Sequence, residues 1–323
     1  MTSAPSATAG LAARAVVGLA LLAAPAWVLA AAGDAVAHQH RSLAALLVVS
    51  ALAGVLTLVR VVVLARRGPA PDAGRRVLRR AGAVAGYGLP LVLAGAAAWL
   101  RPFPATPAAL AALVPDAAVD VVEQDGWYAL VPRDAGPVGL VHIPGARVDV
   151  RASAAVLRPL AEAGYPVVVL RPPLGIALTA PDAPAAAMDA FADVDRWVVG
   201  GHSLGGVAAA GYAADHGDEV AGLLLHASYP MADMSDADLD VTSVWASHDG
   251  LTTPADIDAS RALLPAGTTF VEVDGGVHAY FADYGEQPGD GQPTVGRAQA
   301  RAVIGRADLD LMDRVAGTDG PAG

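Results

Sequence analysis

Residues 198–206 read VVGGHSLGG and contain the pattern Gly-x-Ser-x-Gly, with Ser203 at its centre. The apolar residues before the pattern predict a strand, and the Ala-rich run that begins at Leu204 predicts a helix. A serine on such a sharp strand-to-helix turn has a strained backbone and needs small neighbours, here Gly201 and Gly205. The stretch therefore predicts a nucleophile elbow. The alternative interpretation is a glycine-rich turn with an exposed serine.

Short apolar runs alternate with segments of helical composition on both sides of this turn. We predict strands at residues 119–122, 127–131, 138–143, 165–170, 196–199, 220–225, 241–246 and 269–273. We predict helices at residues 153–163, 184–193, 204–216 and 254–264. The alternation predicts an α/β fold: a mostly parallel sheet covered by helices on both faces, with the first two strands as an antiparallel hairpin at its edge.

The first hundred residues have a different composition, dominated by Ala, Leu, Val and Gly. Three runs without charged residues lie near residues 15–32, 42–59 and 81–100. A bilayer core about 30 Å thick needs roughly 20 helical residues, so we predict three transmembrane helices in a membrane anchor over residues 1–101. A cleaved signal peptide is the alternative interpretation of the first run.

Three further segments follow this anchor. Residues 102–116 are rich in Pro and Ala and predict a tether. The α/β domain is predicted over residues 117–315, and residues 316–323 are predicted to be a flexible tail.

Charge is distributed as unevenly as hydropathy. The net charge is −11, yet residues 1–101 hold ten Arg against two Asp. Six of these Arg, at positions 66, 67, 75, 76, 79 and 80, lie between the second and third apolar runs. The positive-inside rule places that loop in the cytoplasm and the domain after residue 100 outside the cytoplasmic membrane. Nucleic-acid binding is the alternative for the Arg cluster, and its position between two apolar runs argues against it.

The elbow and the residues after the late strands resemble the α/β-hydrolase superfamily. The likeness is greatest to the small, lid-poor hydrolases related to dienelactone hydrolase, and it extends over about residues 117–315. It implies the α/β-hydrolase fold and a triad in the chain order Ser, Asp or Glu, His. Asp249 follows the run 241–246, and His278 follows the run 270–273, where the family places its acid and base. Residues 278–285, HAYFADYG, are also similar to sequence that follows the His in some members.

The resemblance implies a role for each of these residues. Ser203 is the expected nucleophile, His278 its general base, and Asp249 the carboxylate that orients the imidazole. The oxyanion of the intermediate needs two N–H donors. We expect the first from the backbone of Leu204 and the second from Ala146, in the loop after residues 138–143.

Other titratable residues are alternatives to the base and the acid. His248 is the rival base because it neighbours the expected acid, and Asp256 and Asp258 are rival acids in the helix that follows. His142 lies within a predicted strand and His226 ends one, so we expect both to be structural.

The remaining sequence features bound the substrate and the cofactors. The chain has no Cys, and no His-x-x-x-His or Glu-x-x-His pattern appears, so we predict no metal and no cofactor. The residues between Leu225 and Val241 leave no room for a lid domain, which predicts an open site for a small-molecule or lipid-like acyl substrate. The predicted function is a membrane-anchored serine hydrolase of the carboxylesterase type. The alternatives are a non-catalytic binding module of the envelope and an acyltransferase that uses the same triad.

Overall fold

Two long apolar helices stand at the start of the computed structural model, which describes residues 7–67 and 84–317. Helix α1 spans Ala7–His38 and contains Pro25, and helix α2 spans Arg41–Arg67. Within them, Ala9–His38 and Arg41–Arg67 have the length and the hydropathy of membrane-spanning segments. Side chains such as Val16 in α1 and Leu56 in α2 are exposed.

The third predicted span is not confirmed. Its described part is a π-helical turn, Val84–Gly88, followed by helix α3, Leu89–Trp99. This is shorter than the roughly 20 residues that cross a bilayer core. Residues 81–83 and most of the arginine-rich loop lie outside the described residues.

Small residues let α1 and α2 pack closely. A Cβ atom on Gly54 would lie 2.9 Å from the carbonyl oxygen of Gly18, so the two backbones meet where neither has a side chain. The Ser50 hydroxyl donates to the carbonyl of Leu21 at 2.9 Å. The close approach of the two backbones and this hydrogen bond join α1 and α2.

The described residues divide into two compact units. The first comprises the described residues up to Arg101 without His38–His40, and the second comprises His38–His40 and the described residues from Pro102 onward. Residues 102–116, predicted to be a tether, belong to the second unit. Phe103 donates its N–H to the carbonyl of Arg147 at 2.7 Å, and Thr106 donates to that of Asp283 at 2.8 Å. Thr106 also caps the short helix α4, Pro107–Ala111, so these residues are packed on the domain.

Eight strands form one sheet in the second unit. They are β1 Val119–Glu123, β2 Trp127–Pro132, β3 Val138–Ile143, β4 Val167–Leu170, β5 Arg196–His202, β6 Gly222–His226, β7 Asp240–Ala246 and β8 Thr269–Val273. Their order in the sheet is β1-β2-β4-β3-β5-β6-β7-β8. Strand β2 pairs antiparallel with β1 and β4, and every other pair is parallel. The predicted parallel sheet with an antiparallel edge hairpin is confirmed.

Helices cover both faces of the sheet. They are α5 Ala154–Glu162, α6 Ala183–Met188, α7 Leu204–Asp215, α8 Pro254–Ser260 and α9 Arg297–Ala316. Sequence reasoning did not identify α9, whose charged residues obscure an apolar stripe. Ile304, Leu311 and Met312 on that stripe are fully buried.

Some observed boundaries of strands and helices differ from the predicted ones. Strand β5 continues through two glycines to His202, because Gly201 pairs with Ile143 and His202 with His226. Neighbouring strands thus hold residues of low strand propensity in an extended conformation. Helix α8 ends at Ser260 and gives way to a 3-10 turn, Arg261–Leu263.

Candidate active site

Ser203 lies on a tight turn between β5 and α7. Its backbone has φ 53° and ψ −124°, a left-handed conformation that costs a non-glycine residue free energy. A Cβ atom on Gly201 would lie 2.3 Å from the carbonyl carbon of Gly205, and one on Gly205 would lie 2.0 Å from the carbonyl oxygen of Ile143. Glycine is required at both positions, as the predicted elbow demands.

His278 and Asp249 form a buried pair at the ends of neighbouring strands. His278 Nδ1 lies 2.8 Å from Asp249 Oδ2, and the two side chains are 1% and 0% exposed. The second carboxylate oxygen of Asp249 accepts from the N–H groups of Leu251 at 2.8 Å and Thr252 at 2.7 Å. These bonds fix the carboxylate, so that it can hold a proton on Nδ1 and leave Nε2 free to accept one.

The pair and the elbow lie at the same edge of the sheet. The strands that precede Ser203, Asp249 and His278 are β5, β7 and β8, and the carboxyl ends of parallel strands meet at one edge. His202, the residue before Ser203, has its ring centroid 4.6 Å from that of His278. The serine is partly exposed while the imidazole is buried, so the serine is the residue of the three that an incoming molecule meets first.

The rival base and acids are engaged elsewhere. His248 is exposed, and its Nδ1 lies 2.9 Å from the carbonyl oxygen of Gln292. Asp256 forms a capping box with Thr253 at the start of α8. Asp258 pairs with Arg261 at 3.1 Å. Each of these three residues is therefore bonded to a partner outside the Asp249–His278 pair.

The two expected oxyanion donors are the backbone N–H groups of Leu204 and Ala146. Leu204 is the first residue of α7, and Ala146 lies in the loop after β3. Within the described ranges, neither backbone N–H has a hydrogen-bond acceptor. A Cβ atom on Gly145 would lie 2.7 Å from His202 Nδ1, which shows how closely this loop approaches the elbow. The strained residue of the loop is Arg147, with φ 63°, whereas Ala146 has no positive φ.

A group of buried histidines underlies the site. Burial lowers the pKa of His142 and of His202 well below the ordinary value of 6.5. The rings of His142 and His226 have centroids 5.8 Å apart. Within the described ranges, no three side chains converge as metal ligands. The expected absence of a metal stays a prediction.

Asp290 contributes to the site, and sequence reasoning did not single it out. Its carboxylate accepts from the backbone N–H of His278 at 3.1 Å. The available signal was the triplet Gly-Asp-Gly at residues 289–291, shortly after the stretch that shows the family resemblance.

This strand order, with a strained serine after β5 and a His–Asp pair after β7 and β8, is that of the α/β-hydrolase fold. A family model with the description Alpha/beta hydrolase family matches residues 139–302, and the chain belongs to that family. No curated protein matches the chain in a sequence comparison.

Two solved structures of an archaeal esterase share the fold, each with a TM-score of 0.50. The Pyrobaculum calidifontis esterase, in a monoclinic form, is 17% identical, covers 64% of this chain and 88% of its own, and has a TM-score of 0.50. Another structure, of a hyperthermophilic esterase from the same archaeon, has the same identity and TM-score and is covered to 89%. An alpha-beta serine hydrolase homologue from Coxiella burnetii is 15% identical, covers 60% of this chain and 98% of its own, and has a TM-score of 0.44. At these identities the likeness shows the fold alone.

Proposed function

We propose that this chain is a membrane-anchored serine hydrolase of the small, lid-poor type that cleaves ester-like acyl substrates. The observation that carries the proposal is the buried 2.8 Å contact between Asp249 and His278, whose ring centroid lies 4.6 Å from that of His202, the residue before Ser203. A module that only binds has no need for a strained serine next to a buried base. The proposed reaction uses no metal and no cofactor.

The first half of the proposed reaction acylates Ser203. His278 Nε2 takes the hydroxyl proton while Oγ attacks the acyl carbonyl carbon. The N–H groups of Leu204 and Ala146 stabilise the negative oxygen of the tetrahedral intermediate. The intermediate collapses, the bond to the leaving oxygen breaks, and the imidazolium returns the proton to that oxygen. The products are an acyl-enzyme and an alcohol.

The second half of the reaction repeats these steps with water. His278 removes a proton from a water molecule, whose oxygen attacks the acyl carbon, and then returns the proton to Ser203 Oγ as the acid leaves. Asp249 stabilises the imidazolium in both halves and is not itself protonated. An alcohol in place of water would make the enzyme an acyltransferase with the same residues.

The short connection between β6 and β7 suits a small or lipid-like acyl group. Residues 227–239, between β6 and β7, contain no helix or strand, so they form no lid domain. Met231 in this loop is an exposed apolar side chain, at 80%.

The proposed location is the cytoplasmic membrane, with a multi-pass anchor and the hydrolase domain on its outer side. The apolar lengths of α1 and α2 support an anchor. Three spans, the third over residues 81–100, put the arginine-rich loop inside and the domain outside. This topology stays a prediction.

A fluorophosphonate probe tests the catalytic proposal, because it labels a serine that a base has activated. Membranes with the full chain, with Ser203→Ala and with Ser235→Ala as a matched exposed-serine control are treated side by side. We expect labelling of the parent and the control and none of Ser203→Ala.

Two outcomes would overturn the proposal. The first is equal labelling of the parent and Ser203→Ala. The second is no labelling of the parent while other serine hydrolases in the same membranes react, which favours the non-catalytic binding module. Product analysis of a labelled ester with and without added alcohol separates hydrolysis from acyl transfer.

A further inference from the structure

The carboxylate of Asp290 bridges the two loops that carry the proposed acid and base. Asp290 Oδ1 accepts from the N–H of His278 at 3.1 Å and from that of Gly250 at 3.3 Å. Its Oδ2 accepts from the N–H of Ala279 at 2.9 Å. Gly250 directly follows Asp249, so one carboxylate joins the backbone on both sides of the Asp249–His278 pair.

These hydrogen bonds are of the stronger kind, because their acceptor is a carboxylate. Hydrogen bonds to an ionised acceptor are roughly twice as strong as bonds between neutral groups. Asp290 also accepts from the N–H of Gly291 at 2.8 Å, which orients the carboxylate within its own turn. Four backbone donors thus hold one side chain in a single position.

The segment around Asp290 packs across both loops at close range. We name residues 287–294 the strap. A Cβ atom on Gly291 would lie 1.7 Å from the carbonyl oxygen of His248, and one on Gly250 would lie 2.5 Å from that of Gly289. The strap and the acid loop therefore meet backbone to backbone, with no space for side chains between them.

The strap is also bonded at both ends. The Tyr284 hydroxyl donates to Gln287 Oε1 at 2.7 Å, and Tyr284 is fully buried. At the other end, Thr294 donates its N–H to the carbonyl of Gly275, in the base loop, at 2.9 Å. The strap is thus anchored on either side of Asp290, and its place does not depend on that residue alone.

We infer that Asp290 is a positioning residue that sets the distance and angle between Asp249 and His278. The inference rests on the proposed function, since it concerns the base of that reaction. Asp290 acts through the backbone and does not touch the substrate. Its loss leaves His278 and Asp249 in the chain but removes the carboxylate that joins the backbone of their two loops.

Kinetics of Asp290→Asn and Asp290→Ala in the full chain test this inference, with Asp236→Asn and Asp236→Ala as matched variants of an exposed Asp. Hydrolysis of p-nitrophenyl butyrate gives kcat and KM, and thermal melting reports the fold. Because displacement of a reacting group by about 1 Å can cost about 100-fold in rate, we expect Asp290→Ala to lower kcat by about 10- to 100-fold with KM unchanged. Asp290→Asn should lie between Ala and the parent, since its amide oxygen still accepts on one side.

The possible outcomes separate this inference from the proposed function. If kcat of both Asp290 variants equals that of the parent, with or without a lower melting temperature, the positioning role is wrong and the proposed function stands. If Asp290→Ala does not fold, Asp290→Asn decides by the same criterion. If the parent neither hydrolyses esters nor labels at Ser203, the proposed function is wrong and the inference falls with it.

Discussion

His226 Nε2 lies 2.7 Å from Asp308 Oδ1, and neither side chain is exposed to solvent. The fold therefore contains a second buried His–Asp pair, between the end of β6 and the middle of α9. Burial raises the pKa of the Asp308 carboxyl above its ordinary value, and the attraction of His226 offsets only part of that rise. Asp249 differs because it accepts two backbone N–H bonds in addition to its histidine. We expect the Asp249–His278 pair, and not the Asp308–His226 pair, to support an imidazolium, and the first prediction compares the two pairs.

Asp249→Asn should lower activity and retain the fold, whereas Asp308→Asn should lower stability and retain activity. An amide in place of Asp249 favours the wrong tautomer of His278, so we expect kcat to fall about 10⁴-fold with the fold retained. Asp308→Asn changes a buried pair that contains none of the three proposed catalytic residues. It should cost about 1–3 kcal/mol of unfolding free energy and keep the parent kcat. Ester hydrolysis and denaturant unfolding measure the two effects, and a loss of turnover in Asp308→Asn alone would reverse the assignment.

Substitution of the two neighbouring candidate bases should separate them. His278→Ala removes the proposed general base, so we expect a loss of more than about 10³-fold in turnover. His248→Ala removes only an exposed side chain bonded to the carbonyl of Gln292, and turnover should stay at the parent level. Initial rates with a chromogenic ester provide the measurement. A severe loss in His248→Ala with an active His278→Ala would contradict the proposed triad.

Helix α7 contains a matched pair of glycines that tests the close contact at the elbow. A Cβ atom at Gly205 would lie 2.0 Å from the Ile143 carbonyl oxygen, whereas one at Gly211 would meet nothing within 4 Å. Gly205→Ala should therefore destabilise the domain by more than about 3 kcal/mol, at the upper end of point-mutant effects. Gly211→Ala should stabilise it by up to about 1 kcal/mol, because Ala is the better helix former. Denaturant unfolding of both variants gives the comparison, and equal midpoints would contradict it.

Stability should decrease as the pH falls through the range in which histidine titrates. Burial holds the pKa of His142 and His202 well below 6.5 in the folded chain. Below about pH 6.5 the unfolded chain binds protons on these rings and the folded chain does not, so the unfolding free energy falls by up to about 1.4 kcal/mol per pH unit for each. Asp308 has the opposite effect on the unfolding free energy. Because its pKa is raised in the folded chain, the folded chain binds a proton there at a higher pH than the unfolded chain does, which increases stability as the pH falls.

His142→Gln removes one of these titrating groups and tests the sign. Its unfolding free energy should have a smaller pH slope than the parent between about pH 6.5 and 4.5, by up to about 1.4 kcal/mol per unit. Above about pH 7.5 the difference between the two proteins should not change with pH. Denaturant titrations of the full chain in detergent supply the curves. Parallel curves over the whole range would show that His142 does not resist protonation.

Protease accessibility tests the proposed orientation. Protease added to intact spheroplasts should remove the domain over residues 117–315, because the arginine-rich loop is predicted to be cytoplasmic. Gel analysis with a tag at each end shows which part remains, and lysed spheroplasts serve as the control for cleavage. Full protection in intact spheroplasts with cleavage after lysis would overturn the topology.

The amino-acid sequence by itself determined the features that consecutive residues encode. The alternation of apolar runs predicted the parallel sheet with its antiparallel edge, and the fold comparison agrees with it. The pattern around Ser203 predicted the strained turn, because small residues on both sides are a local requirement of that backbone. Two of the three charge-free runs correspond to the long apolar helices α1 and α2, whereas the third predicted span is not confirmed.

Tertiary structure alone decided the contacts between distant parts of the chain. The Asp249–His278 contact joins residues 29 positions apart, and its geometry depends on how β7 and β8 pair. Asp290 was missed because a carboxylate that binds backbone N–H groups has no periodic signature in sequence. Helix α9 was missed because its charged face masks the stripe that it buries. In each case the free energy comes from desolvation and hydrogen bonds between separate elements, which depend on the strand order and not on local composition.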